Sequence, residues 1–330
     1  MITRRQFVIA LGVAPFTAPT SSAGQPAGGM RRIGILISAA RPPSIDAHYI
    51  GALPRALREL GYVEGKNIVL EWRFADGKYE RLAGLAEELV KQKVDVIVTG
   101  GMAANRALQR ATSTIPIVNA AMIDPVGNGI ATSLTRPGGN VTGLSLTTTD
   151  MSPKHLELLK LMLPKLSRLA VLVNLGNPGH PAIVKGLQAN AQQLGIKLLP
   201  IDARTPEDIE RGFATMKKEH AEAVIVAIDA FFIGQRQQIA ALALKNQMPS
   251  LFSVREQVQA GGLMSYGQNL ADFYKRAATY VDKILKGAKP GELPIEQPAS
   301  FALLINRKTA KALGLTVPQE LVLRADEVIE

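Results

Sequence analysis

The residues able to do chemistry in this chain stand at the ends of short β-branched runs, where small side chains alternate with a few polar groups. Ser38 follows the first run, Thr99-Gly100-Gly101 the third, and Ala121 and Asp124 the fourth. Further along come Asn174 and Asn177, then Asp229 and Phe231, then Ser253 and Tyr266. Hydroxyls, amides and carboxylates beside glycine and alanine suit non-covalent capture of a small polar molecule. Small residues let the backbone approach a ligand, and the polar groups orient it. Each position also has a purely structural reading. Gly100-Gly101 serves as a tight strand-to-helix turn, Asp124-Pro125 as a helix-opening turn and Asn177-Pro178 as a turn signal. Asp229 is favoured as a site residue, because acids seldom follow buried strands without a partner. Of Phe231-Phe232, one ring suits the core and the other a ligand.

Covalent, nucleotide and metal chemistry find no pattern to rest on. The first strand runs into Ser-Ala-Ala-Arg-Pro-Pro, with no glycine-rich dinucleotide turn, and residues 61–66 lack the spacing of a phosphate loop. No Gly-x-Ser-x-Gly elbow occurs. His48, His155, His180 and His220 are far apart, without metal-ligand spacing. His155 and His220 fall in predicted helices and read as surface residues. There is no cysteine, which excludes a thiolate site, a disulfide scaffold and a lipid-modified cysteine. No catalytic residue, metal or cofactor is therefore predicted. The rival reading is a secreted α/β hydrolase-type enzyme using Asp124 or Asp229 as acid or base.

The elements that must position these residues repeat one phrase: a β-branched run, a small-residue loop, then a helix-period stretch. Residues 32–38, 67–74, 94–99, 115–120 and 141–146 read as five strands, with helices at 52–60, 79–92 and from 102 through 110. Ser152-Pro153 opens a long helix with Leu156, Leu159 and Leu163 on one face. The phrase then restarts with strands at 169–174, 197–201 and 223–228 and helices at 181–194, 206–220 and 234–246. Short strands at 250–253 and 262–266 precede a last long helix, 270–285. The fold class is α/β: two Rossmann-like lobes, each with its own parallel sheet, joined by a multi-strand hinge. The predicted division is 31–146 plus about 267–300 for the first lobe and 147–266 plus about 301–330 for the second. In such sheets ligands bind outside the carboxyl ends of the strands, where the polar groups stand.

Bulk composition agrees with a well-packed globular chain, 47% hydrophobic and 20% charged over 330 residues. The formal charge of +10 is dispersed, and aromatics make up only 5%, so no basic-aromatic surface for nucleic acid is expected. Thr3-Arg4-Arg5-Gln6-Phe7, an apolar run and Ser21-Ser22-Ala23 have the order of a paired-arginine export signal. Pro15 and Pro19 interrupt that run too early for a bilayer span, which needs about 20 apolar residues. Cleavage near Ala23 and a periplasmic monomer that spans no membrane are the expectations; a folded-protein export route is permitted but not required.

Three long stretches resemble one family. They are LRELGYVEGKNIVLEWRFADG from Leu57, DPVGNGIATSLTRPGGNVTG from Asp124 and FALLINRKTAKALGLTVPQELVLRADEVIE from Phe301. The chain is similar along its mature length to ABC-transporter substrate-binding proteins of the type 1 periplasmic-binding fold, in the branch that includes tryptophan-binding members. The resemblance implies two hinged lobes around one ligand, here a small polar solute such as an amino acid, and delivery to an ABC permease and its ATPase. It implies no enzyme activity. A sensing role, presenting ligand to a receptor, uses the same clamshell. Arg41 and Arg255 stand near the cleft loops as the available partners for a ligand carboxylate.

Overall fold

The computed structural model describes residues 29–147 and 151–330. The paired-arginine segment, 1–23, and part of the first predicted join, 148–150, lie outside the described residues.

The first lobe is built on β1 (Arg31–Ile37), α1 (Ala52–Glu59), β2 (Ile68–Phe74), α2 (Leu82–Lys91), β3 (Val96–Thr99), α3 (Met102–Ala111), β4 (Ile117–Ile123) and β5 (Val141–Leu146). Its five-stranded sheet is parallel, in the order β2-β1-β3-β4-β5. β1 shows why the sequence dictates this: two exposed arginines lead into five buried residues, a run with no polar face. Such a strand must be covered on both faces and paired on both edges, as it is by β2 and β3. β2, at the edge, is buried mainly at its start. Gly143 on β5 has φ +129° and lies directly against the Asn119 backbone, beside a shift in the β4–β5 register. A side chain there has neither the space nor the backbone conformation.

The second lobe follows with α4 (Ser152–Met162), β6 (Arg168–Val173), α5 (His180–Gln193), β7 (Lys197–Asp202), α6 (Pro206–Lys218), β8 (Ala223–Val226), α7 (Ala230–Gly234), α8 (Arg236–Lys245), β9 (Ser250–Phe252), α9 (Arg255–Gln259) and β10 (Met264–Gly267). The long α10 (Leu270–Leu285) packs back on the first sheet and on α1. β11 (Ala302–Asn306), α11 (Arg307–Ala312), α12 (Gln319–Arg324) and β12 (Glu327–Ile329) return to the second. The seven strands there are ordered β12-β11-β10-β9-β8-β6-β7. One expectation is corrected: this sheet is not wholly parallel, because β10 and β11 pair antiparallel, Met264 opposite Ile305. The chain leaves for α10 after β10 and re-enters from the same end, so the returning strand runs the other way. The helix predicted at 234–246 is α8, and a separate short helix, α7, precedes it with Gln235 between them.

Between the lobes the chain passes three times: after β5, after β10, and between Glu296, which bridges to Leu144, and β11. Gln268 ties the three passages together. Its Oε1 accepts from the Thr147 amide at 3.2 Å and its Nε2 donates to the Pro298 carbonyl, with the side chain 5% exposed. In both sheets the strand order reverses direction once, between β1 and β3 and between β6 and β8. The crevices at those reversals are where open α/β sheets hold ligands.

Candidate ligand-binding site

The two crevices face one another across a cavity that encloses about 520 Å³ of empty space, part of it open to solvent. Ser38 and Gly100, just past β1 and β3, stand on its first-lobe wall; Asn177 and Asp229, just past β6 and β8, stand on the opposite one. Asp229 is the only charged side chain among the lining residues. Apart from Ser38 and Asn177 the rest is apolar or aromatic, Met102, Ile123, Ile233 and Leu270 among them.

The second-lobe wall is an ordered acceptor. Asp229 caps α7, its Oδ1 accepting from the Phe231 amide at 2.9 Å, which fixes the carboxylate at the strand end. Its Oδ2 accepts from Asn177 Nδ2 at 2.7 Å and from the Tyr79 hydroxyl at 2.8 Å. Tyr79 belongs to the first lobe, in the 3-10 turn before α2, so this bond spans the cleft. Burial first, and then the Asp229 charge, hold the Tyr79 phenol well above its usual pKa, so it stays a proton donor. Behind the carboxylate lies His180, fully buried. The Asn174 amide donates to its Nδ1 at 2.8 Å, so Nε2 carries the ring proton and donates to the Ile228 carbonyl at 3.1 Å. With Nδ1 accepting, the ring is neutral, and its Nε2 also lies 3.5 Å from Asp229 Oδ2, so His180 is a strut behind the carboxylate.

The first-lobe wall offers donors. Gly101 has φ +86° and begins α3 without a side-chain cap. Asn119 pins the turn, donating from Nδ2 to the Gly101 carbonyl at 3.0 Å and accepting the Ala121 amide at 2.9 Å. The amides at Met102 and Ala103 are thus first-turn groups with no intrahelical acceptor, at the positive end of the helix. Above them lies Tyr274 from α10, 4% exposed, with its phenol pKa raised far by burial. A Cβ at Gly100 would overlap its hydroxyl, so the glycine makes room for the phenol. Neither the Tyr274 hydroxyl nor that of Ser38, 3% exposed, has a hydrogen-bond partner among the described residues. Neither oxygen is among the fully buried polar atoms without a partner, so both hydroxyls stay open to the cavity and available to a ligand acceptor. Tyr49 stacks obliquely on Tyr274, with ring centroids 5.6 Å apart, and completes an aromatic wall.

Of the residues predicted from sequence, Ser38, Gly100, Gly101, Ala121, Asn177 and Asp229 converge on the cavity. The other six do not line it. Thr99 is a strand residue whose hydroxyl donates to the Leu36 carbonyl at 2.8 Å. Asp124, at φ +41°, closes a turn by accepting the Gly127 amide at 2.9 Å. Asn174 stands one layer back, against His180 and Asp229. Phe231 is buried in the second lobe, touching Phe232 and the position of Gly77 in the first. Ser253 is buried with its carbonyl against Gly267, and the Tyr266 ring stacks on Phe301 at 5.6 Å. Arg41 lies over the Phe74 ring, and Arg255 pairs with Glu327 at 2.6 Å, so neither reaches this cavity. The surface expectation for His155 is corrected: it is 6% exposed and donates from Nε2 to the Tyr266 carbonyl at 2.8 Å. Among the described residues no group of three His, Asp or Glu side chains is placed to hold a metal ion.

Sequence reading missed Tyr49, Tyr79 and Tyr274. They reach the cavity from short 3-10 turns and from the body of α10, not from strand ends. A usable signal was composition: three of only six tyrosines fall in segments that flank predicted cleft loops.

Residues 33–329 match the family model for ABC transporter substrate binding proteins. A tyrosine-binding protein from Clostridioides difficile (strain R20291) is 26% identical over 274 residues, covering 83% of this chain and 78% of that one. The crystal structure of an ABC domain in complex with L-Trp from Streptococcus pneumonia superposes with a TM-score of 0.83 at 25% identity, covering 91% of this chain and 100% of that one. A ligand-free, open substrate-binding protein with adhesive properties from Clostridium difficile, also 25% identical, covers 91% of this chain and 99% of its own but superposes at only 0.63. Among the described residues no helix is long and apolar enough to cross a membrane.

Proposed function

This chain belongs to the ABC transporter substrate-binding protein family, and we propose that it captures an aromatic L-amino acid by closing its two lobes around it. Such proteins work outside the cytoplasm with the membrane components of an ABC transporter. The observation that carries the ligand class is the polarity of the cavity. One wall has a single carboxylate and the other has unpaired hydroxyls at a helix start, with apolar and aromatic side chains between.

In this reading the ligand ammonium is received at Asp229 and Tyr79. Because Tyr79 gives its proton to Asp229, its oxygen keeps lone pairs for an incoming N–H. The ligand carboxylate takes the Ser38 and Tyr274 hydroxyls and the first amides of α3. Its ring lies between Tyr49, Tyr274 and the aliphatic wall, where edge and face contacts supply affinity. No arginine is needed, since hydroxyls and helix-end amides carry the anion. The two ends are held by different lobes, so a ligand that satisfies both binds the closed form better than the open one, and this difference drives closure. The L-Trp and tyrosine ligands of the two relatives support the same class.

We take the moving units to be 31–146 with about 267–300, and 147–266 with about 301–330, turning at the three passages tied by Gln268. Export through the paired-arginine segment, cleavage near Ala23, a periplasmic monomer and the absence of catalysis complete the proposal. Isothermal titration of the mature chain with the full set of L-amino acids tests it. Micromolar or tighter binding of tryptophan, tyrosine or phenylalanine, with a negative heat-capacity change, is expected. Tight binding of a sugar with no response to amino acids would refute it.

A further inference from the structure

A second cavity adjoins the first, with Tyr49 and Ile233 lining both. It has about 1210 Å³ of empty volume and is open to solvent. Unlike the first it is basic. Arg55 and His48 come from the first lobe, and Arg236, Arg255 and Glu256 from the second. We propose that this chamber is an oxyanion site bridging Arg55 and Arg236 across the cleft, occupied by phosphate or a small polycarboxylate, and that its occupant favours the closed lobes.

Three observations carry this. First, each guanidinium is anchored while keeping N–H groups to spare. Arg55 donates to the Asp46 carbonyl and Arg236 to the Ile233 carbonyl at 3.1 Å. Arg255 is paired with Glu327. Second, among the described residues neither Arg55 nor Arg236 has a carboxylate within 4.0 Å, although surface arginines elsewhere in the chain are repeatedly paired. Two anchored guanidiniums without a carboxylate partner, lining one chamber, leave it positively charged and with N–H groups free for an anion. Third, the groups that face them do not cancel that charge. Glu256, near Arg236 and Arg255, is the one acid in the lining and offsets only one of its three arginine charges, and Glu327 is already engaged by Arg255. His48 is neutral at physiological pH, and Gln237, Gln259 and the Asn269 amide add hydrogen-bonding groups without charge.

Because the two arginines belong to different lobes, the anion meets both only when the cleft is shut. It therefore stabilises closure and, by linkage, raises the affinity of whatever fills the inner cavity. The inference stands on the second chamber alone, and it survives if the amino-acid reading of the first one fails.

The test is thermal unfolding and small-angle scattering of the mature chain without added amino acid. Sodium phosphate, sodium citrate and sodium chloride are compared at matched ionic strength. A saturable rise of the midpoint by about 2–4 °C with phosphate or citrate over chloride is expected. A smaller radius of gyration should accompany it, and both responses should be lost in Arg55→Gln and in Arg236→Gln. Whichever anion acts identifies the oxyanion class. Identical behaviour in all three salts would overturn the proposal, as would a phosphate or citrate response that persists in both variants. Arg55 is exposed and Arg236 half-buried, and circular dichroism of each variant verifies folding; either alone suffices for the comparison.

Discussion

The Tyr79 hydroxyl lies 2.8 Å from Asp229 Oδ2, a hydrogen bond from one lobe to the other made across the mouth of the ligand cavity. It joins the 3-10 turn before α2 to the loop after β8, so opening the cleft must break it. Tyr79→Phe keeps the ring but removes the donor to a buried carboxylate, at a cost of about 1.5–3 kcal/mol. Amino-acid affinity should fall about 10–100-fold, and the ligand-free protein should scatter as a more open particle. Unchanged affinity by calorimetry would show that the bond is incidental to binding. Asp229→Asn should be more severe, since it removes the cavity's only charge.

Gly179 marks a contact that exists only when the lobes meet. A Cβ there would lie 2.9 Å from Ile123 Cδ1 and 3.1 Å from Met102 Cγ, both of the first lobe. Its φ of −80° is open to any residue, so the second lobe itself tolerates a side chain. Gly179→Leu should wedge the cleft. Binding should drop by more than about 100-fold while the unfolding midpoint moves little, because the cost falls on closure rather than on folding. A variant that still binds and compacts like the parent would remove this contact from the account.

Gly100 and Tyr274 form a coupled pair. Gly100→Ala drives a methyl group into the phenol oxygen, whereas Tyr274→Phe withdraws that oxygen. Each single substitution should weaken binding about tenfold or more. In the double variant the steric penalty of Gly100→Ala should largely disappear from the unfolding free energy. A double-mutant cycle reads this as a coupling of about 1–2 kcal/mol. Strict additivity would mean that the phenol is free to move aside.

Acid should destabilise the protein through His155. Burial lowers its pKa to about 4, below the ordinary value near 6.5, although its bond to the Tyr266 carbonyl works the other way. The unfolded chain therefore takes up the proton first. Stability is complete above about pH 6.5 and falls as the pH drops toward 4, by roughly 3 kcal/mol at most from this group. His48, also lowered to about 4 by burial and by Arg236, acts in the same direction. Urea unfolding at a series of pH values should show a shallower acid slope for His155→Gln. The same slope in variant and parent would assign the acid sensitivity elsewhere.

The lobes and their crevices were legible because buried parallel strands write themselves as unbroken apolar runs, as in Val96–Thr99 and Ala223–Val226. Cavity residues just past a strand end followed directly: Ser38, Gly100 and Asp229 sit where the strand order reverses. The tyrosines did not, since a long side chain reaching in from a helix leaves no local spacing to read. β11 also escaped, because its partner β10 lies more than 30 residues upstream, beyond α10, and β12 is paired only through β11. The burial of His155 shows a related limit. Its place beside Leu156 on α4 fixes which way it faces, but only the carbonyl of Tyr266 makes that burial tolerable.

The most direct measurement is small-angle scattering of residues 24–330 during titration with L-tryptophan and L-tyrosine, with Asp229→Asn as the control. The radius of gyration should fall saturably with at least one of the two amino acids, and the variant should show no change. A parent protein that binds neither, or binds without compaction, would contradict an aromatic amino acid held between closing lobes.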